Sequence, residues 1–83
     1  MLIGSAANTM VPAVLTLREK GYTVRRVRAG DSREVWHAQR QGLELIADDP
    51  LSLLGLAAMH ETRGDNWKAE DEEVESFLRE NAE

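Results

Sequence analysis

The chain has 83 residues, 42% hydrophobic and 30% charged, with a formal net charge of −5 and no cysteine. That length fits one domain burying roughly 60–65% of its unfolded surface. The composition is too apolar for disorder and too interrupted for a membrane span, and the missing thiols exclude disulfide scaffolds, thiolate zinc sites and cysteine nucleophiles.

The charge is split along the chain. Residues 1–43 carry seven Lys/Arg against three Asp/Glu, a balance of +4; residues 44–83 carry three against twelve, a balance of −9. Such asymmetry bears on partners rather than on fold. No basic residue precedes Arg18, which argues against a secretory leader and for a cytoplasmic protein.

Residues 1–4 are apolar enough for a short extra strand. Residues 9–20 predict a first helix, with Met10, Ala13, Val14 and Leu17 on one stripe. Asn8 or Thr9 caps it, Pro12 lies in its first turn, and Gly21 ends it. Residues 22–28 (YTVRRVR) predict a strand and residues 29–32 (AGDS) a turn. Residues 34–40 and 43–47 complete a three-stranded antiparallel meander, joined at Gln41-Gly42. A two-residue turn there places Trp36, Ala38, Leu43, Leu45 and Ala47 on one face, with Val35, His37, Glu44 and Ile46 opposite. A three-residue turn moves Trp36 to the face of Glu44 and Ile46. The first grouping is preferred because it gathers the apolar residues.

In the block ADDPLSLLGLAAMHETRGDNW, Asp49 is placed as N-cap and Pro50 at the first helical position, with Asp48 near the positive helix end. Leu51, Leu53, Leu54, Leu56 and Ala58 make a broad apolar surface, so this helix is expected to be central. Gly64 stops it after Arg63. Gly55, in its middle, suggests a close approach by a backbone or a large ring such as that of Trp36. A final helix is expected over residues 67–81, capped by Asp65 or Asn66. Val74, Phe77 and Leu78 form its apolar stripe, Trp67 staples it to the core, and the residues from Arg79 onward fray. The expected class is α+β, a single domain in the order α-β-β-β-α-α, with the helices on one face of the sheet.

Several side-chain groups invite a chemical reading. His60-Glu61 lacks the second histidine one turn later that a helical zinc site needs, and Gly64 stands there. His37 lies on a strand. His60 and Arg63 suit the negative end of their helix. Asp48 and Asp49 resemble paired acid–base carboxylates, but capping explains them. No nucleophile stands in a G-x-S-x-G turn and the glycines form no phosphate loop. The expectation is a non-catalytic protein without cofactor or metal.

Two charged groups remain. Arg25, Arg26, Arg28, Arg33 and Arg40 lie on or beside the expected sheet, and the first four are an alternative anion-binding site. The order α-β-β-β-α resembles the double-stranded-RNA-binding fold. That family carries lysines at its last helix, where this chain has glutamates, and a net charge of −5 disfavours nucleic acid. Glu70, Asp71, Glu72 and Glu73, with Trp67 beside them, form the preferred site: an acidic surface for a basic protein, as in inhibitor, immunity or regulatory proteins. A small-ligand pocket beneath Gly55, lined by Trp36, is a further alternative, and a homodimer pairing basic with acidic halves another.

The W-x-A strand Trp36-His37-Ala38, followed by Asp49-Pro50, LLGL, Arg63-Gly64 and Trp67, resembles a pattern of short uncharacterised bacterial proteins over residues 21–68. The resemblance implies a bacterial or mobile-element accessory protein and carries no activity or residue role.

Overall fold

The computed structural model describes residues 1–4, 8–30 and 33–82, without the side chain of Ala29. The chain folds as α+β, in the order α1 (Met10–Glu19), β1 (Thr23–Ala29), β2 (Arg33–Arg40), β3 (Leu43–Ala47), α2 (Pro50–Arg63), a 3-10 turn (Gly64–Asn66) and α3 (Asp71–Glu80). The three strands form one antiparallel sheet in the order β1-β2-β3. Residues 1–4 are exposed and belong to no strand, so the expected extra strand is absent. In the turn expected at residues 29–32, Asp31 and Ser32 lie outside the described residues.

Local chemistry sets the ends of α1. Asn8 Oδ1 accepts from the Met10 N–H at 3.1 Å, so Asn8 is the side chain that caps; Thr9 makes no such bond. At the other end the Gly21 N–H donates to the Arg18 carbonyl and the Tyr22 N–H to the Leu17 carbonyl, both at 3.0 Å. This double closure requires a left-handed residue, and Gly21 has φ +94°. It also brings Tyr22 against Leu17 in the core. Arg40 completes the corner. Its guanidinium donates to the Lys20 carbonyl at 2.7 Å and lies 4.8 Å from the Tyr22 ring centre.

The second hairpin adopts the two-residue turn. Arg40 pairs with Leu43, Ala38 with Leu45 and Trp36 with Ala47. Gln41 (φ +47°) and Gly42 (φ +81°) both take the left-handed values that a tight hairpin matching the strand twist demands. This register puts Val24, Trp36, Ala38, Leu43, Leu45 and Ala47 on the face covered by α1 and α2. The core there is built on Leu17, Tyr22, Val24, Ala38, Leu45, Leu53 and Ala57. Arg25, Val27, Val35, His37, Glu44 and Ile46 occupy the other face. Val35 is buried on that face and Val27 and His37 partly so, while Arg25, Glu44 and Ile46 are exposed.

Helix α2 follows the sequence expectation at both ends. Asp49 Oδ1 accepts from the Ser52 N–H at 2.7 Å, and Gly64, with φ +72°, closes the helix through its N–H to the His60 carbonyl. Its buried stripe is narrower than expected: Leu53 and Ala57 are buried and Leu54 and Leu56 partly so, while Leu51 and Ala58 face out. Gly55 also departs from expectation. A Cβ built there meets no atom within 4 Å, so neither a backbone nor the Trp36 ring approaches it. Gly55→Ala is therefore expected to raise stability by about 0.5–1 kcal/mol, read as a higher urea midpoint at unchanged slope. A loss of stability would place an undetected neighbour against that position.

The last third of the chain differs most from expectation. The final helix begins at Asp71, not at residue 67, and Glu70 occupies its N-cap rather than Asp65 or Asn66. Glu73 Oε1 accepts from the Glu70 N–H at 2.8 Å, the return half of a capping box. Arg63 Nε meanwhile holds the Trp67 carbonyl at 2.9 Å, engaging it outside the helix. Arg79 and Glu80 are helical rather than frayed, and the Asn81 side chain donates to the Phe77 carbonyl at 2.8 Å.

Above all, α3 does not pack on the core. Val74, Phe77 and Leu78 are 43%, 63% and 60% exposed. The radius of gyration, 15.3 Å, exceeds the roughly 12 Å expected of a compact chain of this length. Among the described residues, no helix is long and apolar enough to cross a membrane.

Candidate functional site

The histidines and aspartates that suggested chemistry have separate engagements. Asp49 is occupied by the Ser52 backbone and hydroxyl. Asp48 takes the Arg33 guanidinium at 2.9 Å, so its role at the α2 terminus is shared with an ion pair. His37 faces Glu44 across the open side of the sheet at 3.6 Å, and His60 Nε2 meets Asp65 at 3.0 Å. Among the described residues, no three His, Asp or Glu side chains gather closely enough to hold a metal ion.

The arginine group is likewise divided. Arg26 and Arg28 share the face of Trp36, each 3.8 Å from Glu34, and the Arg26 guanidinium lies 5.9 Å from the Trp36 ring centre. Arg25 lies on the opposite face, and Arg33 is committed to Asp48. Arg40 is a helix-end fastener, as its bond to the Lys20 carbonyl shows. The strand alternation that scatters these five charges follows directly from the two-residue period of a strand.

The acidic group does come together. Glu70, Asp71, Glu72 and Glu73 form the cap and first turn of α3, where the exposed peptide N–H groups favour negative charge. Capping accounts for part of this cluster, and the apolar stripe accounts for none of it. With Val74, Phe77 and Leu78 on one side, Asp71 at the N-terminal end of that side, and Glu72, Glu75 and Glu80 around the rest, α3 is amphipathic. Yet no other part of the described chain covers its apolar side.

One contact steers α3. Arg63, at the end of α2, donates to Glu73 Oε1 at 2.7 Å while its Nε holds the Trp67 carbonyl. Sequence reasoning assigned Arg63 only to the helix terminus; the Arg63 to Glu73 spacing of ten residues carries no periodic signal. The arginine's hydrogen bond, then that of the Glu70 N–H, holds the Glu73 carboxyl below the usual glutamate range. The Arg63 guanidinium is pushed up by the same carboxylate.

A lowered folded-state pKa means that this contact is complete above the ordinary glutamate value. It is lost as pH falls from there through the lowered one. Carbon-13 titration of Glu73 is expected to show that lowered midpoint, and Arg63→Ala to return it toward normal. A midpoint unmoved by Arg63→Ala would mean that the two side chains do not meet in solution.

Trp67 is half-buried rather than a staple for α3. It lines a groove of about 380 Å³ together with Leu43, Glu44, Leu45 and Ile46 of β3 and Leu56 and His60 of α2. Lys68 Nζ lies 5.8 Å from its ring centre. No family model, curated protein or solved structure matches this chain. Function therefore rests on the exposed surfaces themselves: the uncovered side of α3, the groove beside Trp67 and the charges around both.

Proposed function

We propose that this chain is a non-catalytic protein-binding module of the inhibitor, immunity or regulatory kind, presenting α3 to a basic protein. The observation that carries this reading is the uncovered stripe of Val74, Phe77 and Leu78 on a helix otherwise lined with carboxylates. Burying those three side chains on a partner supplies affinity. The surrounding acids select a basic surface and speed the encounter. The long-range asymmetry of the chain works in the same direction, because the −9 half contains α3 in full. Glu70, Asp71, Glu72 and Glu73, in the cap and first turn of that helix, and Trp67, which precedes it in the chain, are the residues assigned to the contact.

The test compares wild type with Asp71→Lys/Glu72→Lys as baits for proteins of the source cell. Recovery of a basic protein by wild type, lost in the variant and at high salt, is the expected result. Salt-insensitive recovery that ignores the substitutions would remove the proposal.

A further inference from the structure

The two edges of the sheet are defended differently. On β1, Arg25, Arg26 and Arg28 place three guanidinium groups along the strand, an arrangement that discourages another strand from pairing. On β3 the sequence is LELIA, with one charge in five residues, and Ile46 is 57% exposed. No described strand pairs with its outer side.

The register defines what that edge offers. Arg40 and Leu43 close a two-residue hairpin, so Leu43, Leu45 and Ala47 spend their backbone groups on β2. The N–H and C=O groups of Glu44 and Ile46 therefore point outward. Alongside them runs the groove roofed by Leu56, His60 and Trp67. An open strand edge beside an apolar groove is the arrangement used to bind extended peptides as an added strand.

We infer that β3 receives an extended segment of the partner as a fourth strand. This inference rests on the proposed protein-binding role. The segment's chemistry follows from strand alternation. Side chains on the α2 side meet Leu56 and Trp67 and must be apolar. Side chains on the open side lie next to the Glu44 carboxylate, which is 67% exposed and, among the described residues, meets His37 at 3.6 Å as its one ion-pair partner. Those positions take lysine or arginine. Beyond Trp67 lie Asp65, 99% exposed and 3.0 Å from His60, and Glu70, with Lys68 between them over the Trp67 ring, so two carboxylates outnumber one ammonium there. The occupant is thus a basic segment with alternating apolar residues, consistent with a basic partner.

The probe is an end-capped heptapeptide alternating lysine and leucine, with a glutamate–leucine peptide as control. Addition of the lysine peptide is expected to protect the Glu44 and Ile46 amides from exchange and to shift Trp67 fluorescence, while the control does neither. Ile46→Pro removes an outward N–H without breaking a bond to β2. It is expected to weaken binding at least about tenfold, the loss of a main-chain contact in an added strand. Ile46→Lys, which keeps the backbone intact but guards the edge, serves if the proline variant fails to fold.

Amide changes confined to α3 would overturn the added strand while leaving the α3 proposal standing. Protection at Glu44 and Ile46, together with basic-protein recovery indifferent to Asp71→Lys/Glu72→Lys, would sink the α3 proposal alone. Concentration-dependent self-association abolished by Ile46→Lys would assign the edge to a second copy and overturn the inference.

Discussion

Leu53→Ala is expected to cost about 3 kcal/mol, within the range of 2–5 typical of a fully buried leucine. Leu53 is 0% exposed and belongs to the cluster that joins α1, α2 and the sheet. The loss has two parts: the apolar area returned to water and the cavity left among neighbours that cannot fully collapse. An 83-residue domain holds a total stability of about 4–12 kcal/mol. A single truncation here therefore removes a quarter or more of it. Urea unfolding followed by circular dichroism reads the change directly. Leu51→Ala, on the same helix but at a position 45% exposed, is the matched control, with an expected loss under about 1 kcal/mol. Equal losses for the two would mean that α2 presents a different face to the sheet.

Phe77→Ser/Leu78→Ser should behave in the opposite way. Both side chains are more than half exposed, so the domain is expected to keep its stability within about 0.5 kcal/mol. Binding of the basic partner is expected to fall by about 2 kcal/mol or more, roughly thirtyfold, the scale of an interface hot spot. The pair of measurements separates two roles for one helix. A large stability loss would show α3 packed on its own domain. Unchanged partner affinity would show that the stripe is not the contact surface, and the proposed function would fall with it. The charge substitutions at Asp71 and Glu72 act differently: their effect shrinks with added salt, whereas that of the apolar pair persists.

The region around α2 was the most legible part of the sequence. Asp49 and Gly64 act through hydrogen bonds to near neighbours and Pro50 through its fixed φ, so their positions reveal the helix ends before any packing is known. The same holds for Gly21 and for the Gln41-Gly42 turn. In the hairpin, only one of two registers gathers the apolar residues on one side, and that one is observed.

The failures cluster where a distant contact competes with local preference. Residues 67–70 read as helix until Arg63 takes the Trp67 carbonyl and Glu73 turns back to the Glu70 N–H. Gly55 read as a contact point, but no neighbour arrives there. Arg40 read as one of a sheet cluster and proves to fasten the end of α1.

Composition, periodicity and capping chemistry by themselves determined the element order, the meander and the acidic character of the last helix, because each depends on residues within one or two turns of one another. Only the tertiary structure decided that α3 stands uncovered, that the arginines separate onto two faces, and that a groove opens beside an unguarded β3. These depend on which surfaces meet across the fold. An amphipathic stripe has the same spacing whether its apolar side closes its own core or remains available to another molecule.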